Sequence, residues 1–259
     1  MPRARCQAQR ATKLVVLLCW SNCLHPRGAP DSPLLTGVLK LGNFCKQCRL
    51  SLGLLVRVLS LVQNKPRMVT DAPPRKKNRN LFTESDRVNT LRLPTDDRLR
   101  IATAIEAAMK IGTTSEVLAA SREFLDTAAD FYQVKHCNVR VLEARPLRVK
   151  ERSTLELFGD YHPDTILIRV WMKTAVRKEV TSFGTFLSTL CHEFCHHLDF
   201  QRYPDSWHTR GFYERTAALY HHARGTPQKK LVWIPIRGSR WRIDWQRTNR
   251  MGLRQGSPN

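Results

Sequence analysis

The 259-residue sequence predicts one mixed α+β domain over roughly residues 95–225, set between two basic segments. Three observations predict this class. Apolar residues recur at helical spacing from Asp96 onward, short β-branched segments follow them, and a second stretch of helical periodicity completes the domain. The chain is long enough to bury one sizeable hydrophobic core.

Charge divides the chain into segments. The 43 Lys and Arg outnumber the 22 Asp and Glu, which gives a formal net charge of +21. Residues 1–70 contain eleven basic residues and one acid, and residues 224–259 contain nine and one, whereas the middle is nearly balanced. Basic segments favour phosphate-rich or acidic partners, so we expect any DNA or RNA to bind through these two ends.

The N-terminal segment differs from the rest of the chain. We expect residues 1–67 to be disordered or foreign to the functional protein, which would then begin near Met68. Residues 68–94 are polar and contain paired prolines, which predicts a linker. This segment contains four clustered cysteines, namely Cys19, Cys23, Cys45 and Cys48. They form either a four-thiolate zinc site or unpaired thiols in a poorly structured tail.

Hydropathy and cysteine usage favour a cytoplasmic protein without a membrane segment. No stretch approaches the ~18 apolar residues of a membrane helix. The apolar run Leu14–Trp20 follows a basic start, as in a signal peptide, but it is short and no small-residue cleavage site follows. The later cysteines are scattered, which is typical of a reducing compartment rather than of a disulfide framework.

The predicted elements follow one another in a simple order. A first helix ends at Gly112, and Thr113 with Glu116 predicts the capping box of a second. Gly159 to Asp164 predicts a turn within a small sheet. Three strands are expected around it, at Asn138–Leu142, Ser153–Phe158 and Thr165–Trp171.

The stretch Leu190–Phe200, LCHEFCHHLDF, lies on a third predicted helix. Thr181 or Ser182 can cap this helix, and Tyr203-Pro204 ends the region, because the residue before proline is disfavoured in helical geometry. Its apolar residues share one face, namely Phe183, Phe186, Leu187, Leu190, Phe194 and Leu198.

His192 and His196 are four residues apart, so both imidazoles project from the same helix face. That spacing lets both bind one zinc ion at roughly 2.0–2.1 Å. Glu193 can reach a zinc-bound water, whose pKa falls toward ~7, and can pass its proton to a leaving amine. The spacing therefore predicts a zinc site with Glu193 as catalytic base.

The third metal ligand has two candidates. A metzincin would place it six residues after His196, but that position is Arg202. His208 follows the Tyr203-Pro204 turn, where a loop residue can return to the helix, and we favour it. Glu214, on the next predicted helix, is the alternative.

The stretch TLCHEFCHHLDF, followed by WHTRGFYERTAALY, resembles the SprT-like zinc metallopeptidases, relatives of the Spartan DNA–protein crosslink proteases. The resemblance covers about residues 95–225 and includes an H-x-x-x-F motif at His208. It implies a zincin-like fold with an HExxH active-site helix, zinc bound by His192, His196 and His208, and Glu193 as base. Many members carry a downstream cysteine ribbon, yet no cysteine follows Cys195.

The expected function is zinc-dependent hydrolysis of peptide bonds in a protein substrate, including proteins bound to nucleic acid. The alternative is a nucleic-acid-binding protein whose zinc is structural or whose site is inactive. Residues 226–259 are expected to form a basic, Trp-rich β-hairpin tail with its turn at Gly238-Ser239. Trp241 in that hairpin either stacks on bases or packs on the domain.

We expect the remaining histidines to have structural roles rather than to bind the metal. His197 is expected to pair with Asp199 or with solvent. His221 and His222 end a predicted helix, where a charged imidazole is favourable.

Overall fold

The computed structural model describes residues 68–100, 102–150 and 153–254, whose fold is mixed α and β. The N-terminal segment of residues 1–67, with its four clustered cysteines, lies outside the described residues. None of the described helices is both long and apolar enough to cross a membrane. Six helices occur within the described ranges, namely α1 (Arg79–Arg87), α2 (Ala102–Ile111), α3 (Thr114–Tyr132), α4 (Phe183–Arg202), α5 (Arg210–Arg224) and α6 (Trp245–Arg254).

The described strands form three small sheets. They are β1 (Asn138–Ala144), β2 (Leu147–Lys150), β3 (Ser153–Glu156), β4 (Gly159–His162), β5 (Leu167–Lys173), β6 (Trp233–Ile236) and β7 (Arg240–Ile243). The three-stranded sheet has the order β1-β5-β4, with β1 parallel and β4 antiparallel to β5. Strands β2 and β3 form one antiparallel hairpin, and β6 and β7 form another. The mixed α+β class predicted from the sequence is therefore confirmed.

The predicted turn over Gly159 to Asp164 is wrong in its first half, because Gly159–His162 form strand β4. The chain reverses over residues 163–166 instead. Polar residues concealed this strand in the sequence. Asp160 is buried there because Arg169, directly opposite it on β5, donates a hydrogen bond from Nε to its Oδ1 at 2.8 Å.

Helix α4 packs against β4 and β5 and forms the centre of the core. Ser182 is its N-cap, and its side-chain oxygen accepts a hydrogen bond from the backbone N–H of Thr185 at 3.3 Å. The helix ends at Arg202, and the following Tyr203 is extended before Pro204. Its large apolar side chains are essentially inaccessible to solvent, and each contributes ~1.5–3 kcal/mol by burial, namely Phe186, Leu187, Leu190 and Phe194.

Residues 68–94 differ from the predicted polar linker. Met68 is buried, Val69 forms an antiparallel bridge with Arg242 of β7, and residues 79–87 form helix α1. Phe82 of α1 packs edge-on against Trp207, with ring centroids 6.0 Å apart. Polar residues of the segment contact the domain as well, since Thr70 and Ser85 are buried, so its polar composition did not distinguish a docked segment from a linker.

The C-terminal segment contains the expected hairpin, with its turn at Gly238 and Ser239, both at positive φ. The sequence did not predict helix α6, which begins at Trp245, two residues after the end of β7. Ile243 is buried and Trp245 packs against the core, so the hairpin and α6 are attached to the domain.

Gly211 allows helices α1 and α5 to approach each other closely. A Cβ at this position would lie 2.6 Å from the backbone oxygen of Val88 and closer still to that of Ser85. We expect Gly211→Ala to destabilise the protein by ~1–3 kcal/mol or more, because backbone atoms cannot move aside as a side chain can. Urea unfolding measures the loss. The same change at an open helix position stabilises by ~0.5–1 kcal/mol, so a neutral or stabilising result would contradict this packing.

Candidate metal centre

Three histidine side chains converge between α4 and the loop that follows it. His192 and His196 lie one turn apart on α4, and His208 lies just before α5. The Nε2 atom of His192 is 3.1 Å from the Nε2 of His196 and 3.1 Å from the Nε2 of His208. Within residues 68–254 as described, these histidines form the one cluster suited to a metal ion, with ligand atoms all within 4.8 Å of one another.

The three imidazoles have the spacing that zinc requires, and His192 is held in the neutral form that binds a metal. Tetrahedral Zn–N bonds of ~2.0–2.1 Å place ligand nitrogens about 3.3 Å apart, close to the separations observed. Burial, with His196 and His208 adding to it, holds the pKa of His192 well below its ordinary value, so a ring lone pair is free to bind a metal. Imidazole also suits copper, iron and nickel, so the donor set fits zinc without selecting it.

His196 is oriented by a chain of buried polar groups. Its Nδ1 is 2.7 Å from Ser206 Oγ, and that hydroxyl donates to Asp199 Oδ2 at 2.9 Å. Because the serine proton is directed to the carboxylate, the serine oxygen accepts from Nδ1–H, which leaves Nε2 unprotonated. Arg215 donates to the other carboxylate oxygen of Asp199 at 2.7 Å. This arrangement holds the His196 ring in the tautomer that a metal ligand requires.

His208 is held by Asp71, a residue near the start of the described chain. The backbone N–H of His208 donates to Asp71 Oδ2 at 3.0 Å, and its backbone oxygen accepts from the Asp71 N–H at 2.9 Å. The same carboxylate oxygen lies 3.5 Å from His208 Nδ1. Tyr213 stacks on the His208 ring, with centroids 5.7 Å apart. His208 Nε2 is therefore directed toward the other two histidines.

Glu193 is buried beside the histidines, and neither of its carboxylate oxygens has a hydrogen-bond partner among the described residues. Burial raises its pKa well above the ordinary value, and Asp160 adds to this rise. A metal cation at the histidines would lower that pKa again. Because a buried carboxyl without a partner is costly, it indicates a partner from outside the chain, such as water or a substrate.

Gly159 of β4 makes room for this carboxylate. A Cβ at Gly159 would lie 2.6 Å from Thr189 Cγ2 and 3.1 Å from Glu193 Cγ. Strand β4 is at the edge of the three-stranded sheet. The glutamate thus lies against an edge strand, and a larger residue at position 159 would displace it.

Glu214, the alternative third ligand, lies outside the cluster. Its Oε1 accepts a hydrogen bond from Trp233 Nε1 at 3.0 Å, which ties α5 to strand β6. Burial raises the pKa of Glu214, while the Trp233 hydrogen bond opposes the rise. The structure therefore brings His208, and not Glu214, to the two histidines of α4.

Two expectations for the other histidines differ from the structure. His197 contacts Tyr161 and the backbone rather than Asp199, since its Nδ1 is 3.0 Å from the Tyr161 hydroxyl and its Nε2 is 2.7 Å from the Lys135 oxygen. Burial lowers the pKa of His221 to about 4, with Lys229 and Arg224 adding to this shift. His221 is therefore neutral at pH 7, because burial outweighs the helix dipole.

A cleft of about 430 Å³ lies next to the histidine cluster. Asp71, Lys77, Asp205 and Trp207 are among its lining residues. Asp71 contacts His208, and Asp205 and Trp207 flank the serine that contacts His196. The three histidines are not among its lining residues, so the cleft borders groups that hold the site rather than the histidines themselves.

Sequence reasoning missed the residues that support the histidines. Asp199 carried one local signal, since it lies three residues after His196 on the same helix. Asp71, Ser206 and Arg215 carried none, because their contacts with the site form only when separate segments pack together.

The described residues form a mixed α+β domain with a largely buried three-histidine cluster, beside a glutamate that has no hydrogen-bond partner among them. Comparison with family models, with curated proteins and with solved structures found no match. The interpretation of function therefore depends on the geometry of the site and on the motif resemblance in the sequence.

Proposed function

We propose that this chain is a zinc-dependent metallopeptidase with a zincin-like, SprT-like catalytic domain and an HExxH active-site helix. One observation carries the proposal: three imidazoles converge through their Nε2 atoms, beside a buried glutamate whose carboxylate oxygens have no hydrogen-bond partner among the described residues. A purely structural zinc site has no use for that glutamate, since structural sites usually complete the tetrahedron with a fourth protein ligand.

The residues of the site suit peptide-bond hydrolysis. Zinc held by His192, His196 and His208 would supply a Lewis acid and lower the pKa of a water molecule toward ~7. Glu193 would accept the proton of the attacking water and deliver it to the amine nitrogen that leaves. Its buried position keeps the carboxylate poorly solvated.

The substrates we propose include proteins bound to nucleic acid. Arg237 and Arg240 are exposed on the hairpin turn, and Arg247 of α6 is 70% exposed, so phosphates can reach them. Trp241 is less suited to stacking on bases, because the Arg210 guanidinium lies 4.5 Å from its ring centroid and its backbone N–H is bonded to Thr70. We therefore expect phosphate-driven binding without sequence preference.

Glu193→Gln tests the enzyme proposal. We expect it to lower the rate of hydrolysis of an unstructured protein by ~10²–10⁴-fold, because the amide cannot take a proton. Zinc content should stay near one ion per chain, as measured by elemental analysis of the purified protein. Glu214→Gln makes the same chemical change at a half-buried carboxyl outside the cluster and serves as the control.

The rival function has a distinct outcome in the same experiment. If the protein is a nucleic-acid-binding protein with a structural or inactive zinc site, the wild type binds zinc and DNA but does not hydrolyse protein, and Glu193→Gln changes neither binding. Wild-type protein that contains no zinc after purification in zinc-replete medium would overturn both functions.

A further inference from the structure

We infer that Asp71 is a positioning residue for the metal centre, and that residues 68–71 form a strap, the N-terminal strap, which holds His208 in place to bind zinc. This inference depends on the proposed function only in taking zinc as the ligand of His208. It assigns a role to a segment that the sequence places in a polar linker.

Asp71 makes three contacts with His208. One carboxylate oxygen accepts from the His208 N–H at 3.0 Å and lies 3.5 Å from Nδ1, and the Asp71 N–H donates to the His208 carbonyl at 2.9 Å. The backbone of His208 is thereby satisfied in both directions by one residue. A carboxylate near Nδ1 favours the tautomer that carries its proton on Nδ1, which leaves Nε2, the atom that faces His192, free to bind a metal.

His208 needs this support more than the other two histidines do. His192 and His196 lie within a long, buried helix, whereas His208 lies in the irregular connection between α4 and α5, and its side chain is 15% exposed. The buried network of Ser206 and Asp199 orients His196. Among the described residues, Asp71 provides the corresponding carboxylate for His208.

The strap is itself anchored by the hairpin β6–β7. The Thr70 N–H donates to the Trp241 carbonyl at 2.8 Å, and the Trp241 N–H donates to Thr70 Oγ1 at 2.8 Å. The Ile243 N–H donates to the Met68 carbonyl at 3.3 Å, and the Met68 side chain is buried. These hydrogen bonds hold the backbone next to Asp71 in place, so the position of Asp71 relative to His208 is fixed.

Zinc affinity of the full-length chain tests the inference, measured by competition with a chromophoric chelator. Asp71→Ala should weaken zinc binding by ~10–100-fold, the usual effect of removing a partner of a metal ligand. Asp71→Asn should recover part of this loss, because its amide oxygen can still accept from the His208 N–H but carries no charge. The Co²⁺-substituted Asp71→Ala protein should also show an altered ligand-field spectrum.

Asp86→Ala is the matched control, since this aspartate lies outside the strap and accepts a hydrogen bond from the backbone N–H of Arg210 at 2.9 Å. We expect it to keep zinc affinity within about threefold of the wild type while lowering stability. Equal losses of zinc affinity in Asp86→Ala and Asp71→Ala would overturn the role of the Asp71 carboxylate. The inference would also be overturned if Asp71→Ala bound zinc as tightly as the wild type and its Co²⁺ spectrum were unchanged. A wild type without zinc would overturn the proposed function as well, so the two failures are distinguishable.

Discussion

Replacing His208 with alanine is expected to remove zinc and hydrolysis together. The Nε2 of His208 lies 3.1 Å from that of His192, and loss of its ring leaves two histidines, which bind zinc weakly. We expect zinc affinity to fall by on the order of 100-fold or more, beyond the ~10–100-fold that an outer-shell change causes. Elemental analysis after dialysis against a chelator, with an assay of protein hydrolysis, measures both effects.

Glu214→Gln provides the comparison, because Glu214 was the other candidate for the third ligand. Its carboxylate accepts a hydrogen bond from Trp233, and a glutamine oxygen can still accept that bond. This variant should keep its zinc and its activity. If Glu214→Gln loses zinc while His208→Ala retains it, the assignment of the metal centre is wrong.

Replacing Asp199 with alanine is expected to cost the largest share of stability, ~3–5 kcal/mol. Asp199 and Arg215 are both buried and form an ion pair, in which Arg215 Nη1 lies 2.7 Å from Asp199 Oδ1. Burial raises the pKa of Asp199, while Arg215 and Ser206 oppose that rise. Removal of the carboxylate leaves the Arg215 guanidinium buried without its counter-charge. Urea unfolding monitored by circular dichroism measures the change in the free energy of unfolding.

A double replacement separates the ion pair from simple packing. Asp199→Leu with Arg215→Met removes both charges, and it should recover much of the stability that Asp199→Ala loses. It should not recover zinc affinity, since Ser206 would still lack the carboxylate that directs its proton away from His196. A loss under 1 kcal/mol in Asp199→Ala would show that the pair contributes little.

The sequence by itself indicated the part of the site that lies on one helix. His192, Glu193 and His196 are neighbours through the 3.6-residue period of α4, so their spacing alone predicted their arrangement. The apolar stripe of the same helix predicted its burial, and the β-branched segments predicted two strands of the central sheet, β1 and β5. Each of these patterns is local, and local periodicity is what a single sequence displays.

Only the tertiary structure decided which distant groups complete the site. The choice between His208 and Glu214 depended on how the chain returns after Tyr203, and the contact of Asp71 with His208 spans 137 residues. Strand β4 was concealed because Asp160 is polar, and only its pairing with Arg169 across the sheet explains its burial. Pairings between segments far apart in the chain depend on packing and charge compensation, and these leave no periodic pattern in the sequence.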